Sequence, residues 1–575
     1  MQGRNIAAFV GRLFAAASIA IGGAPAAPPA AERCTLTPIA ELPVTMDGRR
    51  ALVKAHLNGV ESWLLADSGA FLSMLSPATV ERLGLERGPA PGGLAIGGVG
   101  GAIPVDLARV EDIRIGGRKL AAMTFLVGPT ERSIGGLLGQ NILANADAEF
   151  DLGGGMIRLV EPARCNSLSL AEWGLGRPVS QVRIAPLSET ERHVTGTATI
   201  AGVPLRAVFD SGAPTTLLSL AAARRAGIGP ETPGVYPAGA TNGLNGSIGQ
   251  SWIAPSHRYR LGAIELTGDP LRIADLGQVP FDLLIGADFF LSHRVLVANA
   301  QHRLYFTDMT TKTGEPLPAL KSADSYGRRG TALAARRDFE HAVADFTRAI
   351  ELAPGEPHFL VARAAARRDR GESLLARQDL DAALAMRPDD VEALLTRATI
   401  HLAEGDRAAA RPDLERASRA ALAGAEDRFA LGAAFAALED WRRSRQEFDL
   451  WIASHPTDDR IGVARNARCW ALAMVGEGLA QAREDCDAAV RSNPEEPAYR
   501  DSRGLVRLRL GDLDGAIADY DAALRARPDL AWSIYGRGIA RLRKGREADG
   551  VRDLAAARAI DPSIGERFAA IGILR

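Results

Sequence analysis

The chain repeats itself twice, with two unrelated periods, and a sequence built that way cannot fold around one core. In the N-terminal half, the stretch Glu61 to Ser76 carries Asp67-Ser68-Gly69-Ala70, and Pro204 to Ser219 carries Asp210-Ser211-Gly212-Ala213. Each continues into an Ala/Arg/Leu-rich segment that ends Leu83-Gly84-Leu85 or Ala226-Gly227-Ile228. Further on, Gly136-Leu137-Leu138-Gly139-Gln140-Asn141 is answered by Leu283-Leu284-Ile285-Gly286-Ala287-Asp288. The glycine that follows the apolar residues of each motif lies at nearly the same distance from its aspartate, 72 residues from Asp67 to Gly139 and 76 from Asp210 to Gly286. Beyond residue 318, prolines recur at 354, 388, 456, 494, 528 and 562, a 34-residue period with one proline missing and a four-residue insertion. A chain of 575 residues holds about four domains of ordinary size, or fewer domains plus an array.

The first pair of repeats reads as strands. Short apolar runs such as Trp63-Leu64-Leu65 and Ala207-Val208-Phe209 lie between Gly, Pro, Asn and Asp, and each delivers an Asp-Ser-Gly to a turn. Glycine there lets the backbone approach a facing loop closely. One such triplet is weak evidence, since chance supplies about 0.2 matches in a chain this long. Two at equivalent places, each with its downstream apolar-apolar-Gly motif, are strong evidence. The constellation, over roughly residues 40 to 310, resembles the retroviral-type aspartic proteases, relatives of pepsin. Each half has about the length of one retroviral protease subunit, and Gly139-Gln140-Asn141-Ile142-Leu143 is similar to that family's Gly-Arg-Asn-Leu-Leu segment. The resemblance implies an all-β, two-lobed pseudo-dimer in one chain, with halves at 35–165 and 185–309.

It also implies the chemistry. Two carboxylates held so close that they cannot both ionise share one proton; the ionised member activates water and the protonated one polarises the scissile carbonyl. Asp67 and Asp210 match those catalytic positions. Ser68 and Ser211 match the hydroxyl residues that cross-link the loops beneath the dyad, and Gly69 and Gly212 match the glycines beside the carboxylates. No metal or cofactor is implied. Between the two motifs of each half the family places a glycine-rich flap. Gly93 to Gly101, with Ile96, Gly97, Gly98 and Val99, resembles that flap tip, whereas its counterpart around Asn242 and Gly243 is more polar. The sequence has no His-Glu-x-x-His, Gly-x-Ser-x-Gly or Walker motif to support a rival chemistry.

The C-terminal part changes to Ala, Arg, Leu and acidic residues with helical periodicity after a linker at 310–322. Gly504, Ala516, Tyr520, Ala523 and Pro528 stand at the small, small, aromatic, small and proline positions of the tetratricopeptide repeat, and Gly330, Ala342, Phe346, Ala349 and Pro354 do the same. About seven repeats over 323–575 are expected to stack into an all-α solenoid whose concave face binds a protein partner. Pro412 falls inside a second helix, where it is expected to kink or restart it.

Lys+Arg 68 against Asp+Glu 69 leaves a formal charge of −1, which argues against a dedicated nucleic-acid binder. Residues 1–31 have the layout of a secretory signal peptide: Arg4 and Arg12, an apolar run from Leu13 to Ile21, then Ala24-Pro25-Ala26. Nothing else approaches a membrane span, so the expected location is periplasmic or secreted. In that setting four cysteines suggest two disulfides, Cys34 with Cys165 and Cys469 with Cys486. The tetratricopeptide resemblance puts the second pair on facing helices. The sequence therefore points to an exported aspartic endopeptidase that takes peptide or protein substrates and recruits partners through its repeats. A protease-shaped protein that only holds peptides, and a repeat-based assembly scaffold, stay open as alternatives.

Overall fold

The computed structural model describes residues 35–573 apart from 92–94, 99–100, 129, 131–133, 164–172, 175, 188–192, 244–245, 255–257, 268–269, 278, 311–316, 457, 459 and 495. The leader, Cys34, Cys165 and Val99 lie outside the described residues.

Each half folds as a β lobe, and the halves meet in a shared antiparallel sheet. Thr35–Asp47, Asp147–Asp151 and Met156–Ala163 come from the first half, and Ser180–Arg183, His293–Ala298 and Arg303–Asp308 from the second. The seam is a direct ladder, with Ala148 opposite Val297 and Phe150 opposite Val295. Phe150 and Phe290 meet edge to face across it at 5.3 Å, a favoured geometry for two aromatic quadrupoles. Also at the seam, buried Glu149 accepts hydrogen bonds from Trp173 Nε1 (2.6 Å), Arg158 (2.6 Å) and Arg294 (2.9 Å). Burial alone would raise its pKa, but Arg294, Trp173 and Arg158 outweigh burial and hold it below the ordinary value. A carboxylate from one half is thereby clamped by a guanidinium from the other. The ladder also pairs Thr35 with Ala163, which brings the neighbours of Cys34 and Cys165 together.

The C-terminal region is a run of helices. Among the described residues, seven helix pairs from Ala323–Ala335 to Glu547–Ile560 precede a last helix, Ile564–Ala570. The reason glycine recurs in the first helices is direct. A Cβ on Gly330 would sit 2.7 Å from the Phe346 ring, and one on Gly432 or Gly504 would sit 2.8 Å from Phe448 or Tyr520. In the fifth pair Cys469 and Cys486 occupy those two positions and form a disulfide, with Cα atoms 5.6 Å apart, so a covalent bond replaces the ring-on-glycine contact. The helix Arg407–Ala420 continues through Pro412 without a restart.

A second ladder runs through the array. Arg329, Arg363, Arg397, Arg503 and Arg537 each grip, with two guanidinium nitrogens, the aspartate 16 residues later: Asp345, Asp379, Asp413, Asp519 and Asp553. Arg468 and Asp485 do the same in the fifth pair, and Arg428 with Glu447 makes an ion pair in the fourth. Two parallel N–H···O bonds fix the angle between paired helices as well as their contact.

The array is seated on the lobes. Its first helix, Ala323–Ala335, packs against the strand Thr35–Asp47 of the first lobe and the helix Ala287–Ser292 of the second. Ala332 is fully buried in the same apolar core as the lobes.

Two stability predictions follow from these contacts. Reducing the Cys469–Cys486 bridge frees a 17-residue loop and is expected to lower the array's stability by about 3 kcal/mol, read as a shift in denaturation midpoint with and without reductant. Asp501 accepts from Ser533, and burial pushes its carboxyl up to about 6. A carboxyl raised on folding adds stability below its unfolded pKa and loses it as pH rises through the folded value. Asp501→Asn should therefore melt like the parent near pH 4 and be about 2–3 kcal/mol more stable at pH 8. Parallel melting curves at both pH values would contradict this.

Candidate active site

The strand Val60–Ala66 delivers Asp67, and Val203–Phe209 delivers Asp210. The second motif of each half runs parallel beside its strand, with Leu65 opposite Leu137 and Val208 opposite Leu284. The Asp67 N–H donates to Leu138 O at 3.0 Å and the Asp210 N–H to Ile285 O at 2.9 Å. That pairing is why the apolar-apolar-Gly motif recurs: a Cβ on Gly139 would fall 2.7 Å from Leu72 C, and one on Gly286 2.5 Å from Thr215 C.

The two Asp-Ser-Gly turns interlock. A Cβ on Gly69 would lie 2.3 Å from Asp210 Cγ, and one on Gly212 2.4 Å from Asp67 Cγ, so each turn presses on the other's carboxylate. Asp67 Oδ1 accepts from the N–H groups of Gly69 and Ala70 at 2.9 and 2.8 Å; Asp210 Oδ1 accepts from Gly212 and Ala213 at 2.9 and 3.2 Å. Beneath them, Ser68 Oγ donates to Phe209 O (2.9 Å) and accepts from Ser211 N (2.9 Å). Ser211 Oγ mirrors this, donating to Ala66 O (2.8 Å) and accepting from Ser68 N (3.0 Å). Both serines are buried.

Burial pushes the Asp67 carboxyl well above its ordinary value, and the Asp210 charge and a hydrogen bond with Asp210 push it further. Burial also raises Asp210, against hydrogen bonds from Asp67, Gly212 and Ala213 and the charge of nearby His193. Two carboxylates so placed resist ionising together.

The other sequence candidates lie in separate elements. Ala95–Gly98 and Gly101–Pro104 form a two-stranded hairpin with Ile96 opposite Ile103, Gly97 opposite Ala102 and Gly98 opposite Gly101. In the second lobe Tyr236–Gly243 pairs with Gly246–Ala254, Asn242 opposite Ser247 and Gly243 opposite Gly246. Cys469 and Cys486 belong to the array, away from this centre.

Three supporting roles were not read from the sequence. Asn141 Oδ1 accepts from Ser73 N and Oγ (2.7 and 2.8 Å), and the Asp288 carboxylate accepts from Thr216 N and Oγ1 (2.8 and 2.7 Å). Gln140 Nε2 donates to Ser68 O at 2.8 Å. Asn141 and Asp288 each stand two residues after the motif glycine, so aligning the halves was the signal available.

Residues 53–142 and 196–289 match the aspartyl protease family. The N-terminal region is a duplicated aspartyl-protease-type domain. Residues 328–391 and 472–531 match the tetratricopeptide repeat, so the chain joins this protease-type domain to a repeat array. No curated protein matches the chain. Among solved structures, a tetratricopeptide repeat protein from Parabacteroides merdae ATCC 43184 is 16% identical over 44% of this chain and 98% of its own, with a TM-score of 0.32. The APC/C hetero-tetramer Cut9-Hcn1 is 14% identical over 43% of this chain and 48% of its own (TM-score 0.31). YrrB, titled a TPR protein with an unusual peptide-binding site, is 18% identical over 39% and 96% (TM-score 0.25). Among the described residues of the protease-type chain, no helix is long and apolar enough to cross a membrane.

Proposed function

We propose that this protein is an exported aspartic endopeptidase in which Asp67 and Asp210 activate water against a peptide bond, and that its repeats recruit protein substrates or partners. The observation that carries the reading is the interlocked pair of turns: two carboxylates pressed against each other's backbone, hydrogen-bonded together and raised in pKa by burial. In the reaction, the ionised carboxylate takes a proton from water as the water oxygen attacks the carbonyl carbon. The protonated carboxylate hydrogen-bonds the carbonyl oxygen, and a proton then passes to the leaving nitrogen. The glycine-bearing hairpins Ala95–Pro104 and Tyr236–Ala254 are suited to closing over an extended substrate. A disulfide at Cys469 and Cys486 agrees with an oxidising compartment.

Digestion of a mixed peptide library at several pH values, by the parent and Asp67→Asn side by side, tests the activity. Cleavage that persists in the variant would remove the assignment. Recruitment is tested by truncation. Since the first array helix is part of the lobe core, the cut belongs after the first repeat, leaving residues 35–356. Short-peptide kinetics should change little, whereas capture of exported proteins should fall, because remote contacts act through effective concentration. An unchanged set of captured proteins would remove the recruitment role.

A further inference from the structure

Carboxylates between the paired helices of the array are gripped by arginine: Asp519 and Asp553, in the sixth and seventh pairs, are each held by two guanidinium nitrogens. Asp501 is not. It lies on Pro497–Leu510, the first helix of the sixth pair, and one of its oxygens accepts from Ser533 Oγ. Among the described residues nothing bonds its other oxygen and no ion pair reaches it; the Arg527 charge acts on it without a bond. The residue is part-buried, not sealed. The repeat does not call for an aspartate at this place, since one 34-residue period later the position holds Tyr535.

Two indoles stand over the same helix. Trp470 belongs to Ile461–Val475 and Trp532 to Ala531–Arg543, the first helices on either side of Pro497–Leu510. Their rings meet at 5.3 Å across the helix that carries Asp501. Packed helices lie about 8–10 Å apart, so rings on helices once removed touch only where the layer curls inward, on the concave face. Ser533, which bonds Asp501, follows Trp532 directly. Both rings are part-buried. One of them already takes a guanidinium: Arg567 lies over Trp532 at 5.0 Å, with Phe568 beside the same ring at 4.7 Å. Among the described residues no cation lies over Trp470. Trp532, like Asp501, is particular to its place, because one period earlier the chain has Ala498.

A carboxylate left without a cation between helices lowers stability at neutral pH, as the expected behaviour of Asp501→Asn expresses. A cation delivered from outside would offset that loss. Guanidinium fits best, since it is planar and weakly hydrated, stacks on an indole face and still turns its N–H donors to a carboxylate.

We propose that Asp501, Trp470 and Trp532 form a receptor, on the concave face of the fifth to seventh repeats, for an arginine side chain of a recruited protein segment. The inference deepens the recruitment reading above and rests on it. The guanidinium stacks on the indole pair and donates to the open oxygen of Asp501. A segment of the same shape with a neutral residue in that place is passed over.

The test uses the full chain labelled with fluorotryptophan and observed by 19F NMR at pH 8, where Asp501, its carboxyl raised to about 6, is ionised. Trp470→Phe and Trp532→Phe assign the two signals. The probe is acetyl-Gly-Arg-Gly-amide, and its citrulline counterpart keeps the shape and loses the charge. The arginine peptide should move both signals to saturation, and the citrulline peptide should bind about tenfold or more weakly. Asp501→Asn should weaken the arginine peptide by a similar factor. That variant is expected to be at least as stable as the parent at this pH, so unfolding would not explain the loss. Equal binding of the two peptides, undiminished binding by Asp501→Asn, or signals that do not move would each overturn the proposal. The truncation described above separates it from the reading on which it rests. If the peptide binds as described but captured proteins are unchanged by truncation, recruitment fails and the receptor stands. If capture falls on truncation while the peptide moves nothing, recruitment stands and the receptor fails.

Discussion

Asp67→Asn and Asp210→Asn are each expected to lower kcat/KM for peptide hydrolysis by roughly 10²–10⁴-fold, the usual worth of a positioned acid or base. An amide cannot exchange the shared proton, so either change disables the same unit, and the double variant should be little worse than a single one. Folding should survive, for a reason the electrostatics supply. The Asp67 carboxyl is raised well above its ordinary value by burial and by Asp210. Its favourable contribution is therefore complete below the unfolded pKa near 3.8 and is lost as pH rises through the folded value. Asn carries no such dependence, so at neutral pH the variant should melt at the parent's temperature or above it. The parent's rate should follow a bell whose limbs belong to the pair, not to either residue. Turnover within tenfold of the parent by either single variant, or a variant that unfolds at neutral pH, would refute this account.

Ser68→Ala and Ser211→Ala should cost stability instead. Each hydroxyl both donates to a carbonyl and accepts from an N–H of the other turn, at 2.8 to 3.0 Å, in a site closed to water. Either alanine strands one buried carbonyl and one buried N–H, at about 2–4 kcal/mol. Because the two serines share one network, the double variant should lose less than the sum. The cleft should loosen with the seam, so activity should fall at temperatures where the parent is still folded. Chemical denaturation of the two single and one double variants reads all three numbers. Midpoints within error of the parent would show that the lobes are joined by the shared sheet alone.

What the sequence disclosed and what it concealed divide along a physical line. Asp67-Ser68-Gly69, its copy at 210, and the two later glycine motifs were legible because each obeys a local rule: an aspartate at a strand end, and a glycine where any side chain would collide. The helix pairs were legible for the same reason, through Gly330 against Phe346 and Gly504 against Tyr520. Contacts made by ordinary residues over long separations were not. Glu149 looks like any acidic residue in a strand, yet it is buried at the seam and bound by an arginine 145 residues away. The arginines of the array stand out in the sequence only as composition, whereas a set of them forms the two-pronged grip on Asp345, Asp379 and their successors.

The seating of the first array helix has a mechanical consequence. Ala332 lies in the lobe core, and a Cβ on Gly155 would strike Arg328 Cβ at 2.7 Å, so the joint at this point is close-packed backbone against helix. Helix pairs locked by bidentate grips and one disulfide extend from that joint. If the repeats recruit substrates as proposed, an array mounted in this way would work as a measuring rod: a protein held at a given repeat would present to the dyad only the segment that lies a set distance away. Selection of the cut would then depend on how far a bond is from the docking point as much as on the residues around it.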